Sequence, residues 1–210
     1  HRELATRIAR DAAARVLVLE YRLAPEHPFP AAVDDATAAY RWLRKQGVAA
    51  PSIAIAGDSA GGGLTLATLL ALRDAGDALP ACAVCLSPWT DLEGTGASAQ
   101  PGGADDPMVP VAALRDMGRM YAGDSLRNPL AAPLYGNFKG LPPLLIQVGT
   151  REILLDDSTR VADAARAAGV TVRLEIEDGA PHVYQALPGL PETTEALKRI
   201  GTFVRERIPG

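Results

Sequence analysis

Ile53-Ala54-Ile55-Ala56-Gly57-Asp58-Ser59-Ala60-Gly61-Gly62-Gly63 is the stretch that decides how this chain folds. A short apolar run with β-branched Ile53 and Ile55 ends in Gly57-Asp58-Ser59-Ala60-Gly61. A helix-favouring apolar stretch, Leu64 to Arg73, follows at once. Gly-x-Ser-x-Gly between a strand and a helix is the setting of a nucleophile elbow, a turn so sharp that its serine takes strained backbone angles. Glycines two residues to either side remove side chains that would collide in the turn. The hydroxyl is then held clear of the sheet, beside the positive end of a helix. Without those flanks the same five residues would read as an ordinary glycine-rich turn; strand before and helix after single out Ser59.

Outward from the elbow, short apolar runs alternate with longer helical stretches. The chain opens on His1-Arg2-Glu3-Leu4 inside a helix, with Leu4, Ile8, Ala12 and Val16 at helical spacing. Val16 to Tyr21 reads as a strand buried on both faces. Arg22 to Pro30 carries three prolines, which remove donors and fix φ, so it is loop. Ala31 to Gln46 is the next helix, with Gly47 past its end. Strands are expected at 52–56, 83–86, 144–148 and 170–176, and helices at 111–121, 157–168 and 193–207. Residues 92–110 form a long loop and 128–143 a proline-broken stretch. Strand-helix alternation means parallel βαβ units. The expected fold is α/β, a doubly wound, mostly parallel sheet with its site at the carboxyl ends of the strands, where Ser59 stands.

Bulk properties narrow the function. The 210 residues suit one domain, 48% apolar and 22% charged. A net charge of −4 argues against nucleic acid or an anionic membrane as a partner. No run approaches the ~20 apolar residues that span a bilayer. Cys82 and Cys85, the only cysteines, are three apart in a strand-like run and so point to opposite faces. They read as buried free thiols, not as a redox or metal pair, which suits a reducing, cytoplasmic setting. No metal or cofactor is expected. With neither an initiator Met nor a targeting segment, the chain reads as starting partway through a domain.

A serine hydroxyl needs a base to take its proton and an acid to orient that base. There are three histidines. His1 lies at the terminus and His27 in the proline-rich loop. His182 follows the last strand in Gly179-Ala180-Pro181-His182-Val183, at the same sheet edge as Ser59. The acid should follow the preceding strand, where Glu152, Asp156 and Asp157 are available. Asp156 and Asp157 stand where a helix begins and suit capping. Glu152, nearer the strand end, is favoured, with Asp156 next.

Three stretches now carry a resemblance: Tyr21-Arg22-Leu23-Ala24-Pro25-Glu26-His27-Pro28-Phe29-Pro30-Ala31-Ala32, the elbow Gly57-Asp58-Ser59-Ala60-Gly61-Gly62, and Ser87-Pro88-Trp89-Thr90-Asp91. With them the chain resembles, over essentially its whole length, the hormone-sensitive-lipase family of esterases in the α/β-hydrolase superfamily, most closely its bacterial Gly-Asp-Ser-Ala-Gly branch. The order Ser59, Glu152, His182 is the order of that superfamily. The resemblance implies a serine carboxylesterase acting on short- to medium-chain acyl esters, with Ser59 as nucleophile, His182 as base and Glu152 as acid. Relatives often carry Asp at the position of Arg151. The N–H of Ala60 is the implied oxyanion donor, and Asp58, Trp89 and Val183 are implied pocket residues. Relatives often dimerise through the last strand and helix.

The chain also departs from that pattern. It has no His-Gly-Gly-Gly run, whose glycine N–H groups complete the oxyanion hole in the family, and lacks most of the cap. By family topology a further strand belongs between 16–21 and 52–56. The expectation is therefore a partial catalytic domain over 1–210, active as an esterase, impaired in isolation, or completed by another chain. A non-catalytic ligand-binding protein on the same scaffold is the remaining alternative. Relatives of that kind have lost the histidine that is present here as His182.

Overall fold

The computed structural model describes residues 1–208. Its centre is a four-stranded parallel sheet of β1 (Ala54–Asp58), β2 (Cys82–Leu86), β3 (Leu144–Arg151) and β4 (Val172–Pro181), lying side by side in chain order. Helices α1 (Arg2–Ala12), α2 (Ala31–Lys45), α3 (Ala60–Asp74), α4 (Val111–Ala122), α5 (Leu155–Ala167) and α6 (Pro191–Arg205) complete the chain.

The alternation of strand side chains builds two cores. Ala83, Cys85, Leu144 and Ile146 face α3 and α5, where Leu66, Leu69, Leu70, Val161, Ala162 and Ala165 are buried. Cys82, Val84, Leu86 and Leu145 face α1 and α6 and meet Leu4, Leu197, Ile200 and Phe203. Period 2 thus sends the two cysteines to opposite layers, as free buried thiols. Helices on both faces explain why β2 reads as an unbroken apolar run. Helix α2 packs outside α3 through Tyr40, Ile53 and Leu72. It is tied to the preceding loop where Arg22 donates to Asp35, whose carboxyl the guanidinium holds down at about 2. Among the described residues no helix is long and apolar enough to cross a membrane.

The expected strand over 16–21 is not formed. Residues 15–23 take no regular structure and have no ladder partner, and Val16, Leu17 and Val18 are 43%, 55% and 58% exposed. The run has strong β propensity, but that preference is realised only against a neighbouring strand and a packed face. Neither is supplied here, and β1 is left as an edge of the sheet.

Candidate active site

The elbow is built as its sequence requires. Ser59 sits between β1 and α3 with φ 54° and ψ −119°, a backbone conformation that only strong local constraint maintains. A Cβ at Gly57 would run into the Gly61 carbonyl, and one at Gly63 into the Trp89 carbonyl, so the turn can close only without them. The Ser59 N–H donates to Leu86 O and its carbonyl accepts from Trp89, fastening the turn to the end of β2 (2.9 Å each).

Around Ser59 the carboxyl ends of three strands converge. His182, just after β4, has Nε2 3.0 Å from Ser59 Oγ. Its Nδ1 is 2.9 Å from Glu152 Oε2, just beyond β3. Glu152 has no exposed surface, and its Oε1 accepts from the Gly149 N–H and the Ser87 hydroxyl, both at 2.7 Å. The network assigns the proton of neutral His182 to Nδ1, leaving Nε2 to accept from the serine. Ala60 opens α3, and a residue in that position has no intrahelical acceptor for its N–H.

The competing acids lie elsewhere. Asp156 Oδ2 accepts from the Ser98 N–H at 2.9 Å. Asp157, buried, accepts from Thr90 N–H (2.7 Å), Asp91 N–H (2.8 Å) and the Thr90 hydroxyl (3.2 Å) on one oxygen. Burial outweighs those three donors and, with the Asp91 charge, pushes its carboxyl up to about 7. The folded state therefore holds a proton, between pH ~4 and ~7, that an unfolded Asp releases, so this group's contribution to stability falls as pH rises through that window. Asp157→Asn keeps an oxygen for the same donors and does not titrate. The melting temperature of the variant minus that of wild type should therefore rise by about 3 °C or more between pH 4 and pH 8, the scale of ~1 kcal/mol in a domain of this size. A difference constant with pH would show that Asp157 is ionised throughout.

Beside Ser59 opens an apolar cavity of about 270 Å³, lined by Ala60, Gly63 and Ala67 of α3, by Trp89, and by Met117 and Met120 of α4 among others. Of the three expected pocket residues, Trp89 lines it and Asp58 and Val183 do not. Asp58 is turned to His1, whose Nε2 lies 3.1 Å away, and burial raises its carboxyl above the ordinary range. Val183 is buried with a left-handed backbone, φ 49°, and donates its N–H to Ser87 Oγ at 3.1 Å. His27 is exposed in its loop and meets none of these groups. Two features escape a sequence reading. One is the approach of His1 to Asp58. The other is Ser87, whose only signal was its place at the end of a strand in the Ser-Pro-Trp-Thr-Asp run.

A parallel sheet flanked on both faces, with a serine at a strand-to-helix turn and a histidine and carboxylate behind it, defines an α/β hydrolase. A family model described as alpha/beta hydrolase fold matches residues 1–186. The chain is 49% identical to an acetyl-hydrolase of Streptomyces hygroscopicus over 98% of its own length and 69% of that protein's. It is 36% identical to an esterase of Acinetobacter venetianus, over 97% of this chain and 68% of that one. Its structure matches that of an esterase from the bacterial hormone-sensitive lipase family with a TM-score of 0.96 at 51% identity, covering all of this chain and 71% of the other. The chain belongs to this family of carboxylic ester hydrolases, the bacterial hormone-sensitive-lipase branch of the α/β-hydrolase superfamily.

Proposed function

We propose that the chain hydrolyses short- to medium-chain acyl esters through an acyl-enzyme formed on Ser59. The observation that carries the reading is the hydrogen-bonded line from Ser59 Oγ through His182 to Glu152, next to an apolar cavity that Ala60, the residue after Ser59, lines. His182 Nε2 takes the proton of Ser59 as Oγ attacks the ester carbonyl, and returns it to the departing alcohol. Water then hydrolyses the acyl-enzyme by the same proton path. Glu152 keeps the Nδ1 proton in place and balances the imidazolium charge. The Ala60 N–H points to where negative charge gathers on the carbonyl oxygen. The acyl chain lies along Gly63 and Ala67 of α3 against Trp89. These apolar walls favour hydrocarbon over a charged acyl group.

The test is covalent labelling. After treatment with diethyl p-nitrophenyl phosphate, intact mass and peptide mapping should find one diethylphosphoryl group, on Ser59, and p-nitrophenyl butyrate turnover should stop in step with it. Acetyl to hexanoyl p-nitrophenyl esters should be accepted and dodecanoyl refused. Turnover that survives full labelling, or an adduct on another residue, would move the nucleophile away from Ser59. A chain that neither turns over ester nor takes the label would be the catalytically impaired form.

A further inference from the structure

Ser87 is fully buried at the carboxyl end of β2 and holds φ at 46°. A side-chain-bearing residue seldom adopts that angle, and where it does the surroundings impose it. Here the surroundings engage the hydroxyl from both sides. Its oxygen accepts the Val183 N–H at 3.1 Å, and it donates its own proton to Glu152 Oε1 at 2.7 Å. A serine hydroxyl has a single proton, and the Val183 N–H occupies the side from which the oxygen accepts, so that proton is aimed at the carboxylate. The Gly149 N–H reaches the same Oε1, also at 2.7 Å. Two donors thus converge on one carboxylate oxygen, and the other, Oε2, is left to the His182 imidazole.

We propose that Ser87 is a positioning residue for ester hydrolysis: its hydroxyl, ordered by the Val183 N–H, holds the Glu152 carboxylate so that Oε2 faces His182. The inference rests on the Ser59–His182–Glu152 reading above. Ser87 does not line the cavity, so its effect on substrate passes through Glu152. The backbone strain fits this role, since a conformation of lower energy would turn the Ser87 side chain away from the acid.

Ser87→Ala should lower kcat for p-nitrophenyl butyrate roughly 10- to 100-fold, the worth of one hydrogen bond to a charged group, with KM changed by no more than about twofold. Ser87→Gly removes the same hydroxyl while releasing the strain, and should lose as much kcat whatever its melting temperature. The readout that separates positioning from mere structural support is a double-mutant cycle with Glu152→Ala, measured as single-turnover acylation with enzyme in excess so that slow variants stay readable. With no carboxylate to hold, the Ser87→Ala effect should shrink to about threefold or less. The same loss in both backgrounds overturns the proposal, as does a Ser87→Gly variant that keeps wild-type kcat. Wild-type turnover by Ser59→Ala would overturn the underlying reading and this inference together. An inactive Ser59→Ala variant with additive Ser87 and Glu152 effects would overturn this inference alone.

Discussion

Ser59→Ala is expected to lower kcat for p-nitrophenyl butyrate by roughly 10⁵- to 10⁶-fold, the scale seen when other serine hydrolases lose their nucleophile. The substitution removes one atom. Ser59 Oγ has a hydrogen-bond partner only in His182 Nε2 among the described residues, so no buried donor is stranded. The fold should hardly notice. Alanine meets the same backbone cost as serine at φ 54°, because both carry a Cβ. Melting temperatures should therefore agree within about 3 °C. KM should also stay close to wild type, since the cavity walls are untouched. What remains is catalysis by the Ala60 N–H and by binding, with the imidazole able at best to activate a water molecule. Initial rates with freshly purified wild type and variant decide the matter. A variant retaining more than about one per cent of wild-type kcat cannot have lost its nucleophile, and the label should then be sought on another residue.

The parts of this site that a reader of the sequence can find are those carried by local pattern. The elbow announces itself because β-branched residues, two glycines and a helix-former run stand in a fixed order around Ser59. His182 and Glu152 follow from strand ends: Glu152 stands just past an apolar run that marks a buried parallel strand, and His182 just past a run of alternating apolar and charged residues that forms a half-buried edge strand. Asp156 and Asp157 were separated from Glu152 by the helix start at Leu155, and both are engaged by loop donors there. What stayed hidden depends on torsions or on partners distant in sequence. Ser87 and Val183 take positive φ, which redirects their groups in a way no residue-type preference foretells. Asp58 was expected to face substrate, yet its carboxylate is turned to His1, 57 positions away in sequence. The run at 16–21 shows the converse failure. Val-Leu-Val-Leu has every local mark of a strand, and a strand exists only when another lies beside it.

Glu152→Gln is the sharper test of the acid, because it changes the chemistry and keeps the shape. Oε1 of the carboxylate accepts from two donors, the Gly149 N–H and the Ser87 hydroxyl. A backbone N–H cannot accept, so the glutamine must present its oxygen there and its NH₂ to His182. An NH₂ facing Nδ1 requires that nitrogen to accept, which moves the imidazole proton to Nε2. Nε2 then donates toward Ser59 Oγ and cannot take its proton. The expected loss is about 10⁴-fold in kcat, the size found when the acid of another serine hydrolase triad becomes an amide. Glu152 is fully buried and does not line the cavity, so KM should change by no more than about twofold. Asp156→Asn is the matched comparison. It neutralises the alternative acid, whose partner is the Ser98 N–H, and should leave kcat within about threefold of wild type. If Glu152→Gln kept kcat within tenfold while Asp156→Asn lost it, the acid would be Asp156, and the 2.9 Å approach of Glu152 to His182 would be a structural contact without a part in the proton path.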